Sequence, residues 1–81
     1  MNDNLITLDK LPVGSFGIVK KLTAEGTNRR RMLDLGLIVD TIVESLRKSP
    51  AGDPIAYEIR GAVIALRSEE TSKILVESIL Q

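Results

Sequence analysis

Apolar and polar residues alternate most regularly between Ile55 and Arg67. Ile55, Tyr57 and Ile59 share one parity, and Ile64 and Leu66 resume the pattern beyond Gly61-Ala62. This is the signature of a hairpin with one buried face. A glycine at the first central position of a two-residue type II′ turn reaches positive φ without steric cost. A turn over Gly61-Ala62 pairs Arg60 with Val63, Ile59 with Ile64, Glu58 with Ala65 and Tyr57 with Leu66. In that register Ile55, Tyr57, Ile59, Ile64 and Leu66 share one face, while Glu58, Arg60, Ala65 and Arg67 fall mostly on the other.

The rest of the chain divides into short elements. Thr41 to Lys48 is rich in β-formers, but Ile42, Val43 and Leu46 do not share one parity. A bulge or burial on both faces is therefore expected. Ser49-Pro50-Ala51-Gly52-Asp53 reads as a turn, with Pro54 leading into the hairpin. A strand over Phe16 to Leu22 follows the turn signal Val13-Gly14, and Gly17 marks a bulge or a close backbone approach. Lys73 to Leu80, with Ile74, Leu75 and Val76, is expected to close a barrel. A helix over Arg29 to Leu35 can be capped by Thr27 or Asn28 and ended by a left-handed Gly36. Met32 and Leu35, spaced i, i+3 and flanked by Leu33, would form its inward stripe. One helical turn covers Ser68 to Ser72, with Ser68 as cap and Glu69 and Glu70 suited to the positive end of the dipole. Five short strands, one brief helix and one helical turn before the last strand describe a mainly-β, SH3-like small barrel in a single domain over residues 1–81. An OB-fold or another Greek-key barrel is the alternative, and it needs longer strands.

Composition removes whole classes of chemistry. The 81 residues leave no room for a second domain, a deep cleft or a buried cofactor. There is no cysteine and no histidine. Disulfides, thiolate nucleophiles, imidazole bases and Cys/His zinc sites are thereby excluded. Any metal would meet only carboxylates, hydroxyls and carbonyls, so Fe²⁺ or another divalent ion is expected to bind weakly if at all. Eleven basic residues balance eleven acidic ones, and the only aromatics are Phe16 and Tyr57. A nucleic-acid binder usually shows a basic excess or a stacking platform, so neither DNA nor RNA is expected as partner. No apolar run approaches the ~20 residues of a membrane span. Met1 to Asn4 carries no basic region and starts no long apolar stretch, so no signal peptide is expected. The absence of cysteines fits a cytoplasmic location.

Arg29-Arg30-Arg31 is the only concentrated charge. In the first turn of the expected helix, each of these cations would oppose the macrodipole by roughly 0.3–1 kcal/mol. A functional reading makes them planar donors to an acidic partner. A structural reading makes them a solvated face paired with Glu25, Asp34 or other carboxylates, with one stem packed over the barrel. Asp34, Asp40 and Asp53 sit at element ends, where aspartate ordinarily serves caps and turns. No Gly-rich phosphate loop is present. Gly17 to Leu22 matches the Gly-x-Val strand of some ribosomal small barrels only superficially.

The ordered string Leu11-Pro12-Val13-Gly14, Arg30-Arg31-Met32-Leu33-Asp34-Leu35-Gly36-Leu37, Gly52-Asp53-Pro54, Arg60-Gly61, Ala65-Leu66-Arg67 and Ile74-Leu75-Val76 strongly resembles the FeoA family. The match runs from about Leu8 to Val76. Three positions depart from the family pattern. Val39-Asp40 stands where Pro-Gly is frequent, Met32 replaces Leu, and Thr71 stands where Ala is common. The resemblance implies an SH3-like barrel that acts beside FeoB, a membrane iron transporter with a cytosolic G domain. It implies an accessory, regulatory, non-enzymatic role in ferrous iron uptake, exercised through protein contact without membrane insertion. Two alternatives accompany it. One is a metal-sensing regulatory domain, since transition-metal binding is a frequent attribute of the family. The other is a GTPase-activating partner offering Arg29, Arg30 or Arg31 to the G domain.

Overall fold

A computed structural model describes residues 5–79. Met1 to Asn4 and Leu80, on which two of the readings above fall, lie outside it. The elements are β1 (Leu5–Thr7), a 3-10 turn (Leu8–Lys10), β2 (Phe16–Leu22), α1 (Gly26–Asp34), β3 (Ile42–Lys48), β4 (Ile55–Ile59), β5 (Ala62–Leu66), α2 (Ser68–Thr71) and β6 (Ile74–Ile79). The six strands form one antiparallel sheet in the order β1-β6-β2-β3-β4-β5. The architecture is mainly β and SH3-like. β6 does not close the sheet at its margin. It lies between β1 and β2, because Leu5-Ile6-Thr7 supplies a further strand too short to display alternation.

The irregularity expected in β3 is present, as the β3–β4 register shifts between Ser45 and Arg47. The β2–β6 register also shifts, between Val19 and Lys21 and not at Gly17. Gly17 is a close approach, since a Cβ there would lie 3.1 Å from Val76 Cγ2. The core gathers Leu8, Val19, Leu37, Val43, Tyr57, Ile59, Ile74 and Val76, all essentially inaccessible.

The hairpin turns one residue earlier than the type II′ reading. Ile59 pairs with Ala62, Tyr57 with Ile64 and Ile55 with Leu66. Its central residues are therefore Arg60 (φ 51) and Gly61 (φ 87), both left-handed, as a type I′ turn requires. A type I′ turn matches the twist of its strands, and the stem of Arg60 lies against Gly36, where a Cβ would come within 2.7 Å of Arg60 Cδ. The pairing slides by two residues, so every side chain keeps its face.

α1 also begins early. The Arg29 N–H bonds the Glu25 carbonyl at 3.4 Å, and Glu25 occupies the N-cap. Thr27 and Asn28 thus lie inside the first turn and do not cap it. Its end is as expected: Gly36 (φ 97) donates to Leu33, and Leu37 donates to Met32, each at 3.0 Å. This is a Schellman closure. Met32 is buried, but Leu33 points out, 37% exposed, and does not join the inward stripe. At α2 the N-cap is Arg67, not Ser68. The Arg67 N–H donates to Glu70 Oε1 at 3.3 Å, and the Ser68 N–H donates to Asp53 Oδ1 at 2.8 Å. An acceptor from the β3–β4 turn therefore serves the N–H of Ser68 itself, one of the orphan donors at the start of α2.

Candidate functional site

Because α1 starts at Gly26, the three arginines occupy its second turn, and Arg31 falls in its last. The conflict with the helix dipole expected for a first-turn position is largely removed, since that field fades within one turn. The arginines have different surroundings. Arg29 reaches back to the sheet and donates from Nη1 to the Leu22 carbonyl at 3.3 Å. Arg31 forms an ion pair with Glu70 of α2. Arg30 makes no ion pair or side-chain hydrogen bond among the described residues and borders an open hollow with Gly26 and Thr27. The structure thus divides the cluster into two arginines tied to other elements and one turned to solvent.

Helical spacing explains the division. Arg29 and Met32 are three apart and share the face toward the sheet, while Arg30 and Leu33 share the opposite one. Beyond α1, Ile38 and Val39 are 47% and 53% exposed, and of Leu37, Ile38 and Val39 only Leu37 is buried. Arg30 and Leu33 on α1, and Ile38 and Val39 on its following loop, are thus all exposed. Ile38 and Val39 were hidden in the sequence within the run Leu35 to Val39. The available signal was that this run is too apolar for the solvent-facing loop that Gly36 opens.

Two of the three candidate aspartates, Asp40 and Asp53, serve separate structural jobs, and Asp34 makes no ion pair or side-chain hydrogen bond among the described residues. Asp40 adopts φ 77 and pairs with Lys20 Nζ at 3.3 Å. Asp53 accepts from α2, as above. Among the described residues, no three carboxylates converge on a point that could hold a metal ion. Among the described residues Tyr57 is the one strongly perturbed group. Burial pushes its phenol up to about 12, the Thr71 hydroxyl counters this in part, and the carboxylates of Asp9 and Asp53 add to it. Its hydroxyl donates to the Leu8 carbonyl at 3.4 Å. Fully buried, it is a core group with a satisfied polar tip.

The FeoA domain family matches residues 6–78 of this chain. The chain belongs to the FeoA family. A relative in Porphyromonas gingivalis, an Fe(2+) transport protein A/Fe(2+) transporter FeoB fusion protein, is 29% identical over 72 residues, which are 89% of this chain. The chain spans only 8% of that protein's length. The solution structure of a FeoA-like protein from Clostridium acetobutylicum is 34% identical, with a TM-score of 0.89 over all of this chain and 93% of the other. FeoA of Stenotrophomonas maltophilia, an SH3 domain protein solved in complex with zinc, is 26% identical, with a TM-score of 0.79 over 89% of each chain. The three departures from the FeoA pattern have local explanations here. Asp40 adopts the left-handed conformation open to glycine, Met32 fills the core at 3% exposure, and the Thr71 hydroxyl lies beside that of Tyr57.

Proposed function

We propose that this FeoA chain is a non-enzymatic accessory and regulatory protein of bacterial ferrous iron uptake. It acts in the cytoplasm as an interaction module for a FeoB-type transporter. The observation that carries this reading is the P. gingivalis fusion, in which a related domain and the transporter share one polypeptide. The unpaired Arg30 and the exposed Leu33, Ile38 and Val39 offer groups of suitable chemistry: a guanidinium for an acidic patch, and apolar side chains on the same helix and its following loop. Balanced charge argues against a nucleic-acid partner. No helix among the described residues is long and apolar enough to cross a membrane.

The exposure of Arg30 also supports a second reading, in which it serves as an arginine finger to the transporter's G domain. No cofactor is assigned. Zinc accompanies the S. maltophilia relative, but the donor set here predicts only weak carboxylate binding of Fe²⁺ or similar ions. Calorimetry with Mn²⁺ should show no tight stoichiometric site. A pull-down of the transporter's cytosolic domain, with and without GTP, tests the main reading. Capture in either state supports it, and capture in neither overturns it. Hydrolysis measured alongside separates the two readings, because a finger accelerates it by orders of magnitude.

A further inference from the structure

A row of residues crosses the outer face of the sheet through direct strand pairing: Phe16 on β2, Glu44 on β3, Glu58 on β4 and Val63 on β5. Ile18 and Ile42 pair beside it. Phe16, the chain's only phenylalanine, is on this face and not in the core, and it is partly exposed. Ile42 and Val63 are 54% and 60% exposed. With Glu44, Glu58, Arg60 and Gly61, Phe16 and Ile42 line an open hollow of about 250 Å³.

The charges on this face are placed against the fold. Glu44 and Glu58 lie directly opposite each other on neighbouring strands. Like charges so placed are destabilising. Among the described residues neither carboxylate has an ion-pair partner within 4.0 Å. Arg60 borders the hollow, but its stem lies against Gly36 and it pairs with neither glutamate. The arrangement lacks a cation and a cover for its apolar floor. One side chain supplies both. A lysine or arginine lays its methylenes on Phe16 and Ile42 while its head reaches the two carboxylates, and the aromatic ring adds a cation–π contact.

We propose that this outer face of β2, β3 and β4 docks a basic amphipathic helix of a protein partner, with one lysine or arginine seated between Glu44 and Glu58. A helix fits better than an added strand because the hollow lies on the face of the sheet, where neighbouring strands already satisfy the backbone. An anionic membrane surface is disfavoured because the glutamates repel it. The surface differs in sign from the Arg30 surface, and the inference does not rest on the transporter reading.

The test uses the full ¹⁵N-labelled chain and two synthetic peptides, one with Leu and Lys at helical spacing and one with Leu and Glu. The basic peptide should shift amides around Phe16 to Ile18, Ile42 to Glu44 and Glu58 to Val63, and the acidic peptide should not. Glu44→Gln with Glu58→Gln should weaken basic-peptide binding by about tenfold or more, as loss of charge-assisted contacts requires. The melting temperature of that variant should stay level or rise, which separates lost contact from lost fold. Arg30→Gln should leave this binding unchanged. Shifts confined to α1, equal binding of both peptides, or unchanged affinity in the double variant would overturn the proposal. So would the same amides shifting with anionic phospholipid vesicles.

Discussion

The two faces of one sheet follow opposite rules, although their residues alternate along the same strands. On β3 and β4 the inward Val43, Tyr57 and Ile59 are at most 1% exposed, while the outward Ile42, Glu44 and Glu58 stand in partial or full contact with water. The inward polar groups are few. The Tyr57 hydroxyl has a partner, and the hydroxyl of the fully buried Ser45 has none. The outward face places like charges opposite each other and leaves an aromatic ring partly exposed. Folding is driven by the first face. The second contributes little to folding and is therefore available for recognition.

Truncation measures the contrast most directly. Tyr57→Ala should cost about 3–5 kcal/mol, as for other large aromatics removed from cores. Ile42→Ala, one residue from the buried Val43, should cost less than about 1 kcal/mol. Urea unfolding of both variants checks this. Comparable losses would mean that the outer face is part of the stability core.

Alkaline pH probes the inward face without changing its volume. The folded Tyr57 keeps its proton up to about 12, against about 10 for an unperturbed tyrosine. Between these values the unfolded chain loses the proton first, so the folded state binds more protons and stability falls as pH rises. The contribution is complete below pH ~10 and gone above ~12, a loss of about 2–3 kcal/mol from this group. Urea midpoints across that window should fall in the native chain and fall less in Tyr57→Phe. Parallel curves would place the phenol in water.

Strands with strong local patterns were legible in the sequence, and β2 starts and ends at its expected residues. Face assignments were robust for a physical reason. Gly61 announces a positive φ but does not say whether it is the first or the second residue of the turn. The two choices slide the pairing by two residues, which preserves parity. β1 escaped notice because three residues carry no readable period. The start of α1 was misplaced because Thr27 and Asn28 are good caps, while Glu25 caps without a side-chain bond. The candidate site was readable as a cluster of arginines but not as separate ones. The partners of Arg29 and Arg31 come from β2 and α2, and only the folded chain brings them near. The Glu44–Glu58 row likewise depends on a register that crosses a bulge.

The turn that joins β4 to β5 holds both faces in register, so it can weaken both together. Gly61 sits at φ 87 with nothing within 4 Å of a Cβ placed there. Gly61→Val should therefore lose more than about 1 kcal/mol through backbone strain alone. Asparagine tolerates this conformation, so Gly61→Asn should recover most of the loss. Equal melting temperatures for the two variants would show that the cost is not conformational.

The smallest expected effect on stability tests whether α1 repeats the division seen in the sheet. Arg29 is tied to the Leu22 carbonyl on the inner side of the helix, and Arg30 faces solvent on the outer side. Glutamine keeps the helix propensity of either position. Arg29→Gln removes a charge-assisted bond to the sheet and should cost roughly 0.5–1.5 kcal/mol. Arg30→Gln should change stability by no more than about 0.5 kcal/mol, since it loses no partner in the fold. Binding should reverse that order. Under the proposed function, Arg30→Gln should slow association with the cytosolic domain of a FeoB-type transporter and flatten its salt dependence, as loss of an exposed charge at an interface does. Arg29→Gln should leave both nearly unchanged. Stopped-flow association at two salt concentrations, paired with thermal melts, distinguishes these outcomes. If Arg30→Gln destabilises the domain and binding is unaffected, the outward face of α1 is structural, and the likeness between helix and sheet fails at that residue.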